Sequence, residues 1–98
     1  MKIIDRYIDH MCEEVEGAMD YAEKYIEYKA KGEMSKASRF REMANDEIGH
    51  GNSIRDMAID DIKKISEVTQ LPAAEEEKWD AALKRYSEKT ALVKVMLS

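Results

Sequence analysis

Two carboxylates and an imidazole stand where a helix would ordinarily carry apolar side chains. At about 100° per residue, Glu14 falls on one side of a helical stretch with Tyr7, Ala18, Tyr21 and Tyr25. Tyr7 and Tyr21 each lie seven residues from it, two turns along the same stripe. A carboxylate inside an aromatic stripe is costly to bury unless something positive meets it. Glu47 and His50 repeat the anomaly further on, sharing a side with Phe40, Met43 and Ile54. Their i to i+3 spacing projects both side chains from neighbouring positions on one face. Carboxylate oxygen and imidazole nitrogen together suit a divalent ion such as iron or manganese.

These residues need elements to hold them level. Ile4, Ile8, Met11, Val15, Ala18, Ala22 and Tyr25 recur in alternating fours and threes, which predicts a first helix over about residues 2–31. Gly32 then supplies a helix stop, with Lys29 and Lys31 in the last turn. Ala37, Phe40, Ala44, Ile48, Gly51, Arg55, Ala58, Ile62 and Ile65 predict a second helix over about 34–68, with Ser35 a candidate N-cap and Glu33 or Met34 alternative starts. Gly49 and Gly51 weaken this stretch by about 1 kcal/mol each relative to alanine. The stripe nevertheless keeps its phase across them, so the helix is expected to continue. Pro72 suits the first position of a third helix over about 72–97, with Glu75, Glu76 and Glu77 at its positive end. Its apolar face reads Trp79, Leu83, Tyr86, Thr90, Val93, Leu97.

The hairpin makes the spacing meaningful. Glu14 lies eighteen residues before Gly32, while Glu47 and His50 lie fifteen and eighteen after it. At about 1.5 Å of rise per residue the three stand at one height in an antiparallel pair. Di-iron carboxylate bundles take a lone Glu from each of two helices and a Glu-x-x-His from each of the other two. This chain offers one of each, and its third helix offers none, since Glu88 is followed by Lys89, Thr90 and Ala91. A two-fold dimer would complete the set.

At this point the sequence resembles the rubrerythrin and ferritin-like superfamily. The string Phe40-x-x-Met43-Ala44-x-x-Glu47-x-x-His50 is similar to that family's second metal-binding helix, and Glu14 with Tyr21 is similar to its first ligand and tyrosine. The stretch from Glu13 to Tyr21 further resembles the short encapsulated ferritins, two-helix proteins whose ferroxidase site forms between subunits. The likeness covers about residues 7–58 and leaves the third helix unaccounted for. It implies that Glu14, Glu47 and His50 are metal ligands, that Tyr21 stands behind them, and that no catalytic residue is needed beyond the ligands. It also implies an all-α fold in which a long helical hairpin plus a third helix pairs as a dimer into a ferritin-like four-helix bundle. The activity implied is oxidation of Fe(II) by oxygen or peroxide at a shared di-iron centre, with manganese an alternative metal. Rubrerythrins carry a four-cysteine iron site as well, which the lone Cys12 cannot supply.

The bulk numbers frame these readings. Ninety-eight residues make one domain, short enough that association is a natural route to stability. A net charge of −5 favours cations and argues against a nucleic-acid surface. No apolar run is long enough to span a membrane, and charges at Lys2, Asp5, Arg6 and Asp9 interrupt what a secretory signal would need, so a cytoplasmic homodimer or larger homo-oligomer is expected. The methionines are expected to fill core gaps, Cys12 to be buried and inert, and His10 to be a surface residue. The competing reading is a non-catalytic helical interaction protein on the same scaffold, with Glu14 facing a Lys or Arg of its partner. The sequence also resembles small helical proteins encoded by bacteriophages, which suits this reading.

Overall fold

The computed structural model describes residues 1–98 as three helices and no strand: α1 (Lys2–Ala30), α2 (Met34–Val68) and α3 (Ala73–Met96). The molecule measures 55 × 18 × 17 Å. At about 1.5 Å per residue, the 35 residues of α2 span most of that length. No helix is long and apolar enough to cross a membrane.

The turn between α1 and α2 follows from one glycine. Gly32 adopts φ +75°, its N–H donates to the Lys29 carbonyl at 3.1 Å, and the Glu33 N–H donates to Tyr28 at 3.0 Å. This Schellman pattern satisfies carbonyls that the end of α1 would otherwise leave open. It also uses up Gly32 and Glu33, so α2 starts at Met34 with Glu33 as its N-cap. Ser35 therefore falls inside the helix, two residues past the capping position. Pro72 is likewise shifted from its expected place. It is the N-cap of α3, with ψ 141°, and its carbonyl accepts from Glu75 and Glu76 at 3.0 and 3.2 Å. Through Gly49, His50 and Gly51 the second helix runs unbroken.

Two apolar clusters form the core. Ile4, Met11, Val15, Ala58, Leu71, Trp79, Ala82 and Tyr86 fill the end remote from the hairpin turn. Ala18, Ala22, Tyr25, Ala37, Ala44, Ile48, Val93 and Leu97 fill the end beside it. α1 and α2 pack along their length, and α3 lies mainly on α1. Both ends of α3 are tied by charge: Lys78 pairs with Asp5 at 2.7 Å, and Arg41 donates to the Leu97 carbonyl at 3.0 Å, a favourable cation at a helix C-terminus. Only 18 of 98 residues are buried, so the chain has little apolar interior to spare.

Several side chains depart from expectation. Met11 is buried, but Met34 at the start of α2 and Met43 and Met57 further along it are 40–55% exposed. Cys12 is half-buried. Two rows of residues at seven-residue intervals, Tyr7-Glu14-Tyr21-Tyr28 on α1 and Phe40-Glu47-Ile54-Asp61 on α2, are all half-buried. They form one seam along the hairpin. Tyr28 stacks on Phe40 at 5.5 Å, Tyr21 meets the same ring at 6.1 Å, and the Tyr7 hydroxyl donates to Asp61.

α3 reaches the middle of α2 through Tyr86, whose hydroxyl donates to Asn52 Oδ1 at 2.7 Å and also approaches the Ile48 carbonyl at 3.4 Å. Gly51 makes that possible, since a Cβ there would sit 2.5 Å from the Tyr86 hydroxyl oxygen, whereas a Cβ at Gly49 would meet nothing. Two substitutions that look alike should therefore act oppositely in urea unfolding. Gly49→Ala is expected to stabilise the protein by up to about 1 kcal/mol. Gly51→Ala is expected to destabilise it by about 1–3 kcal/mol, through overpacking against Tyr86. Equal effects of one sign would refute the Tyr86 docking.

Candidate metal centre

Glu14 projects from the middle of α1, and Glu47 and His50 from one turn of α2. The hairpin brings one donor atom from each to within 4.8 Å of the others. His50 Nδ1 lies 3.6 Å from Glu14 Oε2. The site sits close to where the two apolar clusters meet: Glu14 is next to Val15 of the one, and Glu47 and His50 flank Ile48 of the other. Its burial is graded. The Glu14 side chain keeps 18% of its surface, Glu47 is half-buried, and the His50 side chain keeps 64%. The cluster is thus open to solvent on the His50 side and closed toward the core.

Charge at this point is poorly balanced. The Glu47 carboxyl is held above the ordinary carboxylate range, first by its hydrogen bond with Glu14, then by burial and by the Glu14 charge. His50 opposes the shift and Asp46 adds to it. A hydrogen bond between two carboxyl groups needs a proton on one of them, so the pair is satisfied only by sharing a proton or by taking a cation. No lysine or arginine pairs with either; the partners within reach are imidazoles. A divalent ion replaces the shared proton with charge of the right sign, and the donor set of two carboxylates and an imidazole fits iron or manganese.

Gly17 leaves room for this arrangement. A Cβ at Gly17 would stand 3.3 Å from Glu47 Oε2, so the glycine one turn after Glu14 is the wall against which the opposing carboxylate rests. Tyr21 lies in the aromatic layer with Phe40, and no hydrogen bond joins it to the three polar residues. Behind the site, burial raises the Tyr86 phenol, and the Glu14 charge contributes to the same shift.

His10 is the residue that spacing alone undervalues. Its side chain is 49% exposed, yet Nε2 lies 3.4 Å from Glu14 Oε1, across one helical turn. The i to i+4 interval was the available signal. Its meaning depends on which way the Glu14 carboxylate faces.

The chain matches no protein-family model, curated protein or solved structure. The functional reading therefore rests on its own residues.

The raised Glu47 value has a testable consequence in the metal-free protein. Below the unfolded-state carboxyl value of about 4.3 both folded and unfolded states hold the proton, and folding carries no penalty. As pH rises through the folded-state value, the folded protein must give up that proton beside Glu14, and stability falls. Glu47→Gln removes the penalty and leaves an amide that donates to Glu14. Metal-free Glu47→Gln should melt above the parent at pH 7, with the gap closing toward pH 4. A gap that is absent at neutral pH, or that widens in acid, would contradict the shared-proton account.

Proposed function

We propose that this chain is a di-iron carboxylate protein of ferroxidase type, in which Glu14, Glu47 and His50 hold one metal ion per chain. Two copies pair about a two-fold axis and bring their half-sites together. The observation that carries the reading is the meeting of Glu14, Glu47 and His50 atoms within 4.8 Å at a point where no lysine or arginine answers the acids. The half-buried seam of Tyr7, Tyr21, Tyr28, Phe40 and Ile54 supports the pairing, since it surrounds the site with apolar and aromatic surface that a second copy would cover. Iron is the preferred metal and manganese the alternative, both being served by mixed oxygen and nitrogen donors.

Each residue has a definite part. The Glu14 and Glu47 carboxylates balance cationic charge and, having two oxygens each, can hold one ion or two. His50 is a neutral donor on the solvent side, where an ion arrives first. The aromatic layer of Tyr21, Tyr28 and Phe40 limits access of water from the turn end. Fe(II) bound there as substrate would supply electrons to oxygen or peroxide.

A second reading draws on the same seam. A non-catalytic helical interaction protein would use the Tyr and Phe rows as a docking face, with the acids at its centre as polar contacts.

Anaerobic titration of the metal-free protein with Fe(II), followed by admission of oxygen and measurement of ferric absorbance, separates the two. About one iron per chain, a dimer by sedimentation, and rapid oxidation lost in Glu47→Ala are the expected results. Uptake that is weak in the parent, or undiminished in Glu47→Ala and His50→Ala, would favour the interaction protein.

A further inference from the structure

We infer that two copies of this chain lie antiparallel on their seams, so that the turn end of each 55 Å rod covers the far end of the other. The two-fold axis then runs across the hairpin at the level of Glu14, Glu47 and His50. This rests on the pairing proposed above and gives it a direction. An axis along the rod would also bring two half-sites together, but with both turns at one end.

The seam is symmetric about its acids. Each candidate ligand has an apolar side chain seven residues before it and another seven after: Tyr7 and Tyr21 about Glu14, Phe40 and Ile54 about Glu47, Met43 and Met57 about His50. Seven residues are two turns, or about 10.5 Å of rise, so the flanking residues return to the ligand's own side of the helix. An axis across the hairpin exchanges before with after. Tyr7 then meets the partner's Tyr21, Phe40 the partner's Ile54, and Met43 the partner's Met57, while the central acids meet their own copies. Met43 and Met57 are 40% and 50% exposed in the single chain, and this contact covers both.

Apolar layers alone permit either axis; charge separates them. At the turn end Lys31 and Lys36 stand over the Tyr28 ring, 5.3 and 5.4 Å from its centre. At the far end the Tyr7 hydroxyl donates to Asp61, and Asp60 is next to it in the chain. Lys64 answers Asp60 within the chain, whereas no lysine or arginine pairs with Asp61. The two end layers are equally far from the centre. Tyr28 and Phe40 lie fourteen and seven residues from Glu14 and Glu47, and Tyr7 and Asp61 lie seven and fourteen. The antiparallel axis therefore sets the lysines of one copy beside the aspartates of the other at both ends. Residues 24–41, around the turn, carry six basic side chains and two acidic ones in a chain of net charge −5. Pairing with the turns together would stack that basic segment on its own copy, and like charges facing each other disfavour a wrong alignment.

Pulsed electron paramagnetic resonance between nitroxide labels reads the direction. Diamagnetic Zn(II) serves as the metal, and Cys12→Ser leaves one thiol per labelled chain. Ala30→Cys places a label sixteen residues from Glu14. Two such labels should stand about 50 Å apart in the antiparallel pair and under about 30 Å apart if the turns lie together. Copies labelled at Ala30→Cys mixed with copies labelled at Val68→Cys should give the short distance instead. Lys31→Glu with Lys36→Glu should weaken association by about tenfold or more, since it sets acid against acid at both ends; with turns together it would leave association unchanged. A short Ala30–Ala30 distance would overturn the inference and leave the metal proposal standing. A chain that binds Zn(II) but sediments as a monomer would overturn both this inference and the shared site, while retaining Glu14, Glu47 and His50 as ligands.

Discussion

The hairpin is built around an electrostatic conflict. Two unit charges of like sign about 4 Å apart repel by roughly 4 kcal/mol at an effective dielectric of 20. Net stabilities of small proteins are about 5–15 kcal/mol, so an unrelieved Glu14–Glu47 contact would consume a large part of the total. The sequence could have relieved it with a lysine or arginine, of which it has sixteen. None of them pairs with either acid; Lys24, Lys31, Lys36 and Lys64, for instance, pair with acids one turn away. The central carboxylates are left to a proton, to imidazole, or to a cation from solution.

The rest of the architecture accommodates that point. Gly17 gives up side-chain bulk so that the Glu47 carboxyl can lie against α1. Gly51, beside His50, gives up its own so that Tyr86 can settle on the backbone of the same turn. Glycine is the worst ordinary residue for a helix interior, yet three glycines lie within one turn of a candidate ligand, and two of them leave room for a specific side chain. Gly49 has no such neighbour, and nothing in the structure explains it. α3 acquires a role from this. With its C-cap Leu97 it adds Trp79, Ala82, Tyr86 and Val93 to the two apolar clusters, and it fastens the Ile48–Asn52 turn from behind, where an isolated hairpin would leave that turn free.

Much of this was legible from spacing. The alternating threes and fours locate the helices, and counting outward from Gly32 puts Glu14 level with Glu47 and His50, because rise per residue is nearly constant in a helix. What could not be read is what depends on a third body or on a rotamer. Tyr86 reads as one more core aromatic until the path of α3 brings its hydroxyl to Gly51. The pairing of Tyr7 with Asp61 joins two residues that each look unremarkable on their own helix. His10 looks like surface, and by exposure half of it is. Its proximity to Glu14 depends on a side-chain direction that no periodicity encodes. The methionines failed in the opposite way: hydrophobicity placed them inside, but Met43 and Met57 flank a seam that this chain alone does not close.

That seam links stability to the proposed chemistry. Its members are half-buried whether aromatic, aliphatic or acidic, so each has lost part of its hydration without gaining a full set of neighbours. Covering it would strengthen every electrostatic interaction at its centre, because water leaves and the effective dielectric falls. The effect has two signs. Without a cation, closure worsens the repulsion between Glu14 and Glu47 and opposes association; with a cation in place, the same closure favours it. On the proposed reading, metal binding and pairing of copies would be coupled through this one pair of side chains, and such coupling is reciprocal. Any ion that binds more tightly to the paired form must, by the same free energy, hold the pair together.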